Sequence, residues 1–167
     1  SDSCAREKYP DCETISCKTF DEVFTKANEN ENIRAIIPES NKTTGNIGVE
    51  YLIFKYRLNI CAEHFYPIHH HLLGLPGTKL GEIRNVHSHA QGLSQCSNFI
   101  KTNNLVENVR ADTAGSAKYI SESKNKNDAA IASKESAKIY NLDVLASDIA
   151  DEKENVTRFL IFSKKIS

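Results

Sequence analysis

Residues 155–162 run Asn155-Val156-Thr157-Arg158-Phe159-Leu160-Ile161-Phe162, and they are the most informative stretch of the chain. The apolar run from Phe159 predicts a buried β-strand, so a hydroxyl, a guanidinium and an aromatic ring stand where that strand begins. Thr157 can donate a hydrogen bond, Arg158 can bind a carboxylate through two parallel hydrogen bonds, and Phe159 can exclude water. These three residues suit a small substrate that carries a carboxylate. The alternative is an ordinary edge strand.

One order of local patterns recurs along the chain: a short apolar run, a turn rich in serine, threonine and asparagine, and a helical segment. This order is typical of α/β proteins. We predict strands at residues 33–37, 83–86, 109–111, 129–132, 144–146 and 157–162, with the first strand ending at Pro38. We predict helical segments at residues 47–56, 90–100, 114–121 and 134–140.

Neutral polar side chains follow several of these strands. In open α/β sheets ligands bind beyond the carboxyl ends of the strands, where helix N-termini direct unpaired N–H groups. The alternative is helix capping, because serine, threonine and asparagine are the usual N-cap residues. Capping explains the polar side chains at any single junction between a strand and a helix. The number of such junctions is what favours a ligand-binding site.

An extended segment at residues 58–68 has the length to carry the backbone from one lobe to another. If residues 144–162 return by a second crossing, the chain forms two α/β lobes with a cleft between them. We therefore expect a first lobe at residues 1–67 plus 150–167 and a second lobe at residues 68–149.

The bulk composition argues for a small-molecule partner. The chain has 167 residues, and its 21 basic and 22 acidic residues nearly cancel, which gives no support for binding to nucleic acid or to a membrane surface. No apolar stretch approaches the length of a membrane span. A homodimer is the default assembly for an enzyme of this size. Five cysteines without a Cys-x-x-Cys pair indicate a reducing compartment, and we expect the cytoplasm.

The run His69-His70-His71 raises the question of a metal site. Consecutive side chains on a strand alternate between faces, so the three imidazoles cannot all reach one ion. No acidic or cysteine ligands accompany them at metal-binding spacing. We expect neither a metal nor a cofactor.

Four stretches together resemble the prephenate dehydratase family, in the right order and nearly from end to end. They are Pro38–Gly45, Ser88-His89-Ala90-Gln91 with Gln95-Cys96, Asp112-Thr113-Ala114-Gly115-Ser116-Ala117, and Ala129–Ser133 with Asn155–Phe159. The resemblance implies the two-lobed α/β fold of type II periplasmic binding proteins, with the active site in the cleft between the lobes. It also implies decarboxylating dehydration of prephenate to phenylpyruvate in phenylalanine biosynthesis.

The resemblance also implies roles for individual residues. Thr157 is the expected catalytic residue, and Asn41, Ser88 and Gln95 are expected to line the pocket. The expected substrate-binding set is completed by Thr113, Arg158 and Phe159. From the sequence alone, Arg158 has two open roles: it can hold the substrate carboxylate, or it can serve the fold by pairing with a carboxylate such as Asp151.

The chain departs from the family pattern at three positions. Ser40 and Lys42 stand where the family has Glu and Ser, and Ala90 replaces the Pro that follows Ser-His. Ser40 and Lys42 are therefore uncertain members of the site. The residues of the family's first strand motif are expected to lie outside this chain, and so is the regulatory ACT domain of many relatives.

Prephenate loses a carboxylate as carbon dioxide and a hydroxyl as water, and a pocket of neutral donors fits that reaction better than one crowded with cations. We expect Thr157 to hydrogen-bond the departing hydroxyl. Two alternatives stay open. One is a dehydratase that acts on arogenate, the transaminated analogue, and the other is a binding module of the same fold without catalysis.

Overall fold

The computed structural model describes residues 1–165, and these fall into two compact units. The first unit comprises Ser1–Ile68 and the described residues from Glu154 onward, and the second comprises His69–Lys153. Each unit contains one β-sheet with helices packed against it. The predicted α/β class is therefore confirmed.

The strands and helices are numbered here in chain order. The strands are β1 (Ala35–Asn41), β2 (Gly45–Asn46), β3 (Asn59–Pro67), β4 (His71–Gly74), β5 (Asn85–Ser88), β6 (Val106–Val109), β7 (Asp128–Ala132), β8 (Asp143–Ala146) and β9 (Val156–Ser163). The helices are α1 (Asp2–Lys8), α2 (Phe20–Glu29), α3 (Glu50–Tyr56), α4 (Ala90–Gln95), α5 (Ser97–Thr102), α6 (Thr113–Ser123) and α7 (Lys134–Ile139). None of the helices described in residues 1–165 is long and apolar enough to cross a membrane.

The sheet of the first unit is antiparallel, with strand order β2-β1-β9-β3. The apolar run of residues 159–162 places β9 in the interior of this sheet, where it pairs on both sides. Phe162 is fully buried, and its ring centroid lies 4.9 Å from that of Phe24 on α2. Leu52 of α3 joins the same core, so α2 and α3 cover one face of the sheet.

The prediction that the first strand ends at Pro38 was wrong, because β1 continues to Asn41. Proline lacks a backbone N–H and is tolerated in a sheet at bulges and edges. The pairing of β1 with β9 shifts between Pro38 and Ser40, which marks such an irregularity. The strand therefore continues past the proline, and its pairing with β9 resumes at Ser40. Asn41 consequently lies at the end of a strand instead of in a turn.

The sheet of the second unit has the order β6-β5-β7-β4-β8. Strand β5 runs parallel to β6 and β7, whereas β4 runs antiparallel to β7 and β8. Alternate residues of β7 face opposite ways. Ile131 belongs to a core with Leu93 of α4, and Ala130 belongs to a core with Ile120 of α6. The sheet is thus covered by helices on both faces.

In the second unit, the bounds of two strands and of one helix differ from the prediction. The strand predicted at 83–86 lies at Asn85–Ser88, and the one predicted at 109–111 lies at Val106–Val109. The single helix predicted over 90–100 is two short helices that meet at Cys96. The first of these shifts places Ser88 on the last residue of β5.

Candidate active site

Asn41, Asn155 and Thr157 form a buried polar cluster in the first unit. Asn41 and Thr157 are register partners across β1 and β9. The Asn41 side-chain nitrogen donates to Thr157 Oγ1 and to Asn155 Oδ1, each at 2.8 Å. All three residues are at most 8% exposed. The sheet register therefore brings the predicted catalytic hydroxyl against a predicted pocket residue.

The orientation of the Asn41 carboxamide is fixed by the turn that follows it. Its Oδ1 accepts hydrogen bonds from the backbone N–H groups of Thr43 at 2.9 Å and Thr44 at 3.2 Å. A carboxamide oxygen can only accept, so the opposite end of the group must be the NH2 that faces Thr157. The Asn41 carboxamide is thus held at both ends, by the backbone of the following turn at its oxygen and by Thr157 at its nitrogen.

The direction of the Asn41–Thr157 hydrogen bond determines what the hydroxyl can do. Because Asn41 donates, Thr157 Oγ1 uses a lone pair, and its own hydrogen is not consumed by this contact. Among the described residues of the first unit, which end at residue 165, no histidine or carboxylate is a hydrogen-bond partner of this hydroxyl. Thr157 is therefore arranged as a hydrogen-bond donor, and the described residues of its own unit provide no adjacent base that would make it a nucleophile.

Arg158 lies on the other face of β9 from Thr157, because successive residues of a strand alternate. Its guanidinium pairs with Glu63 at 2.7 Å and with Glu39 at 3.5 Å. The alternative that Arg158 pairs with a carboxylate therefore describes its contacts within the first unit, with Glu63 and Glu39 as the carboxylates in place of the suggested Asp151. Thr157 and Phe159 therefore lie on one face of β9 and Arg158 on the other, so the three residues do not form the single group that the sequence suggested.

Phe159 shares the face of Thr157 and is 4% exposed. Its ring packs edge-on against Tyr66, with ring centroids 6.4 Å apart, and Tyr66 is the β3 register partner of Thr157. Aromatic rings therefore stand on the same strand face as the hydroxyl.

The two uncertain positions of the 38–45 segment make local contacts. The Ser40 hydroxyl donates to Glu39 at 2.5 Å, and the Lys42 ammonium pairs with Glu154 at 2.6 Å. The Lys42 and Glu154 side chains are both exposed. These contacts give neither residue a direct link to Thr157.

In the second unit, Ser88 and Thr113 meet around Gly92. Ser88 is fully buried, and its hydroxyl donates to the backbone carbonyl of Ile131 at 2.9 Å. A Cβ atom added to Gly92 would lie 2.7 Å from Ser88 Oγ and 3.7 Å from Thr113 Cγ2. Glycine is therefore required here for α4 to approach the serine.

Gln95, at the end of α4, is held by a histidine. The Gln95 side-chain oxygen lies 2.7 Å from Nε2 of His70, which is 7% exposed. From the sequence, His70 is recognisable only as part of a histidine run, and its contact with Gln95 was not predicted. Nothing in the local pattern indicates it, since the two residues are 25 positions apart.

Burial keeps three histidines of the second unit uncharged near neutral pH. Desolvation is the largest cause that lowers the pKa of His70, His71 and His87, and in His70 it outweighs the opposing hydrogen bond to Gln95. Burial also raises the pKa of the Cys96 thiol to about 12, so this group stays protonated.

The other two histidines of the run both contact Asp148. His71 Nδ1 accepts from the backbone N–H of Asp148, and His69 lies 3.1 Å from the Asp148 carboxylate. Across residues 1–165 no group of three or more potential metal ligands comes together.

Comparison with known proteins identifies relatives over the whole chain. The family model described as prephenate dehydratase matches residues 1–167. Arogenate dehydratase 2 of Petunia hybrida is 40% identical over 166 residues, which are 99% of this chain and 42% of that protein. Arogenate dehydratase/prephenate dehydratase 2, chloroplastic, of Arabidopsis thaliana is 38% identical over 99% of this chain and 44% of its own length. The chain thus spans less than half the length of these relatives.

Solved structures share the fold. The prephenate dehydratase of Arthrobacter aurescens, solved in complex with L-Phe, matches with a TM-score of 0.88 at 24% identity, over 99% of this chain and 57% of that one. A structure described as a novel type of quorum-quenching acylase matches with a TM-score of 0.89 at 30% identity, over 99% of this chain and 60% of that one. The expected two-lobed α/β fold agrees with these structures.

The expected cytoplasmic location was wrong. Several plant relatives that match over 99% of the chain carry the word chloroplastic in their names. The error has a physical reason: cysteine usage indicates whether a compartment is reducing, and more than one compartment meets that condition.

Gly92→Ala is predicted to destabilise the protein by about 1–3 kcal/mol, the usual cost of overpacking. The new methyl group would clash with Ser88 Oγ, which cannot rotate away without losing its hydrogen bond to Ile131. Urea unfolding measures the change. Gly81→Ala is the matched control, because a Cβ there meets open space. Equal midpoints for both variants would contradict the packing argument.

Stability is predicted to fall as the pH drops below about 6.5, the ordinary pKa of histidine. The pKa values of His70, His71 and His87 are lowered in the folded protein, so only the unfolded chain takes up these protons in that window. The unfolding free energy is therefore highest above pH 6.5, and its slope corresponds to about three protons at most. Chemical denaturation between pH 5 and 7.5 measures this slope, and a flat profile would refute the claim.

Proposed function

The chain belongs to the prephenate dehydratase family, and we propose that it converts prephenate to phenylpyruvate, water and carbon dioxide. The Asn41–Thr157 contact carries the proposal, because it leaves the threonine hydrogen available to a substrate. The substrate is a small molecule, and a homodimer is the assembly that we propose, as the commonest state of soluble oligomers.

The reaction requires little from the protein. The ring carboxylate leaves as carbon dioxide, the electron pair of its carbon–carbon bond enters the ring, and the hydroxyl group departs with one proton taken up from solvent. Formation of the aromatic ring drives the process. The protein needs to assist departure of the hydroxyl and to avoid stabilising the ring carboxylate before it breaks away.

Thr157 assists the hydroxyl as a hydrogen-bond donor. A threonine hydroxyl is too weak an acid to give up its proton completely, so its contribution is to stabilise charge that develops on the departing oxygen. Asn41 aims the hydroxyl by occupying one of its lone pairs. Phe159, on the same strand face, keeps water from competing for that hydrogen bond.

Ser88, Gln95 and Thr113 are assigned to substrate binding. The Ser88 hydroxyl hydrogen is engaged by the Ile131 carbonyl, so its oxygen serves as an acceptor. Gln95 contributes the amide group that His70 holds. Because Glu63 and Glu39 engage the guanidinium, we assign Arg158 to the stability of the sheet.

Arogenate is the second candidate substrate. The names of relatives at 38% and 40% identity support it, because they include arogenate dehydratase. Arogenate carries an ammonium group where prephenate has a ketone, and the departing groups are the same. The segment Thr113-Ala114, at the start of α6, is the place that we propose for the discrimination.

Acyl-bond hydrolysis, the activity in the name of the acylase neighbour, is not favoured by the described contacts. A hydrolase of that kind needs a nucleophile beside a general base. Within their own units, Thr157 is bonded to a carboxamide and Ser88 to a backbone carbonyl. Among the described contacts within each unit, neither hydroxyl is bonded to a base.

Turnover of the two substrates tests the proposal directly. We expect prephenate to give phenylpyruvate, followed by its ultraviolet absorbance, with a higher kcat/KM than arogenate, followed by release of phenylalanine. A higher kcat/KM for arogenate would establish the second candidate instead. Binding of prephenate by calorimetry without any product would show a binding module and refute catalysis.

Thr157→Val is predicted to lower kcat by about a hundredfold or more, on the scale of positioned acid groups. Asn41→Asp is predicted to lower kcat by about tenfold or more, because a carboxylate can only accept and so captures the Thr157 hydrogen. Steady-state kinetics measures both changes.

Asn59→Asp is the control for the second variant, since it makes the same change of charge at the opposite end of the same sheet. It should leave kcat near that of the unaltered chain. If Asn41→Asp has no larger effect than Asn59→Asp, the direction of the Asn41–Thr157 hydrogen bond is irrelevant to the reaction.

A further inference from the structure

His70 makes one of the closest side-chain contacts of the second unit. Its Nε2 lies 2.7 Å from Oε1 of Gln95, and the imidazole is almost completely buried. Because a carboxamide oxygen can only accept, Nε2 carries the hydrogen and donates it. The ring therefore holds Gln95 by its oxygen and thereby sets the direction of its NH2 group.

The backbones of the two residues are tied to one segment of chain. The N–H of Ile149 donates to the carbonyl of His70 at 3.0 Å, and the N–H of Asp151 donates to the carbonyl of Gln95 at 2.8 Å. The Asp151 carboxylate in turn accepts from the N–H of Asn98 at 3.0 Å. The distance between His70 and Gln95 is thus fixed by main chain as well as by side chain.

The contact also adds no charge. Burial lowers the pKa of His70, so a neutral imidazole faces the carboxamide. A lysine or an arginine could donate the same hydrogen bond, but it would place a cation beside Gln95. A neutral donor is what a pocket for a departing carboxylate requires.

We propose that His70 is a positioning residue, which holds the Gln95 carboxamide in the orientation that binds substrate. This inference rests on the proposed role of Gln95 in the dehydratase reaction. A glutamine side chain has several rotatable bonds, and any ordering that is left to the binding step costs free energy. The imidazole holds the Gln95 oxygen in place before the substrate arrives, so we expect its removal to affect turnover through Gln95.

The test compares three variants of buried histidines. His70→Leu removes the donor, whereas His70→Gln places an amide N–H near the position of Nε2. His71→Leu is the matched control, because His71 is adjacent, equally buried and bonded to the backbone of Asp148 instead of to Gln95. We expect kcat/KM to fall by about ten- to a hundredfold in His70→Leu, as for other losses of positioning. His70→Gln and His71→Leu should remain within about threefold of the unaltered chain, per folded molecule.

A double-mutant cycle with Gln95→Ala separates positioning from general destabilisation. Once Gln95 is truncated, His70→Leu should cause no further loss of kcat/KM. Additive losses, or equal losses in His70→Leu and His71→Leu, would overturn the inference.

Nuclear magnetic resonance provides a readout that does not depend on turnover. The Gln95 side-chain NH2 group should be equally ordered in the unaltered chain and in His71→Leu, and measurably less ordered in His70→Leu. Unchanged order in His70→Leu would overturn the inference even in an inactive protein. An unaltered chain that converts neither prephenate nor arogenate would refute the proposed function, and the resonance comparison would still decide the role of His70.

Discussion

The antiparallel pairing of β1 with β9 is the constraint on which the first unit depends. It brings Asn41 to 2.8 Å from Thr157, although the two residues are 116 positions apart. Side chains on a strand alternate between faces, so a slip of one residue would send Asn41 to the opposite face from Thr157. The fully buried Ile37 and Phe162 prevent such a slip, because it would expose them. The apolar core thus fixes the register, and the register fixes the site.

The same alternation of side chains places charged residues on one face of the sheet and neutral polar residues on the other. Arg158, Glu63 and Glu39 interact on one face of the sheet, and Thr157 and Asn41 meet on the other. Two residues that are adjacent in sequence therefore have different surroundings. The reaction that we propose releases a carboxylate as carbon dioxide, and cations that stabilise the carboxylate in its ground state would slow it. The pleat keeps the Arg158 guanidinium on the opposite face of β9 from the Thr157 hydroxyl, where it retains its ionic contacts with Glu63 and Glu39.

Sequence reasoning succeeded where local pattern decides the structure. The helix predicted at residues 134–140 lies at Lys134–Ile139 and is capped by Ser133, because capping and helical spacing are local properties. It failed where the deciding contact is distant. Pro38 ends a strand by local rules, yet the pairing with β9 carries β1 past it. The partners of Arg158 are set by β-sheet register, which no short window of sequence contains. The contact of His70 with Gln95 is of the same kind.

Uncharged hydrogen-bonding groups act on a substrate effectively only if they are held in place beforehand, because a neutral dipole that must reorient loses much of its benefit. In each unit the protein meets this requirement by using one end of a polar side chain internally. The Asn41 oxygen takes two backbone N–H groups, and the Ser88 hydrogen binds a carbonyl. The Gln95 oxygen takes the His70 hydrogen. Each of these polar groups is oriented by such an internal contact, and a charged side chain in the same place would disturb it. The same contacts therefore require these residues to be neutral and hold them rigid.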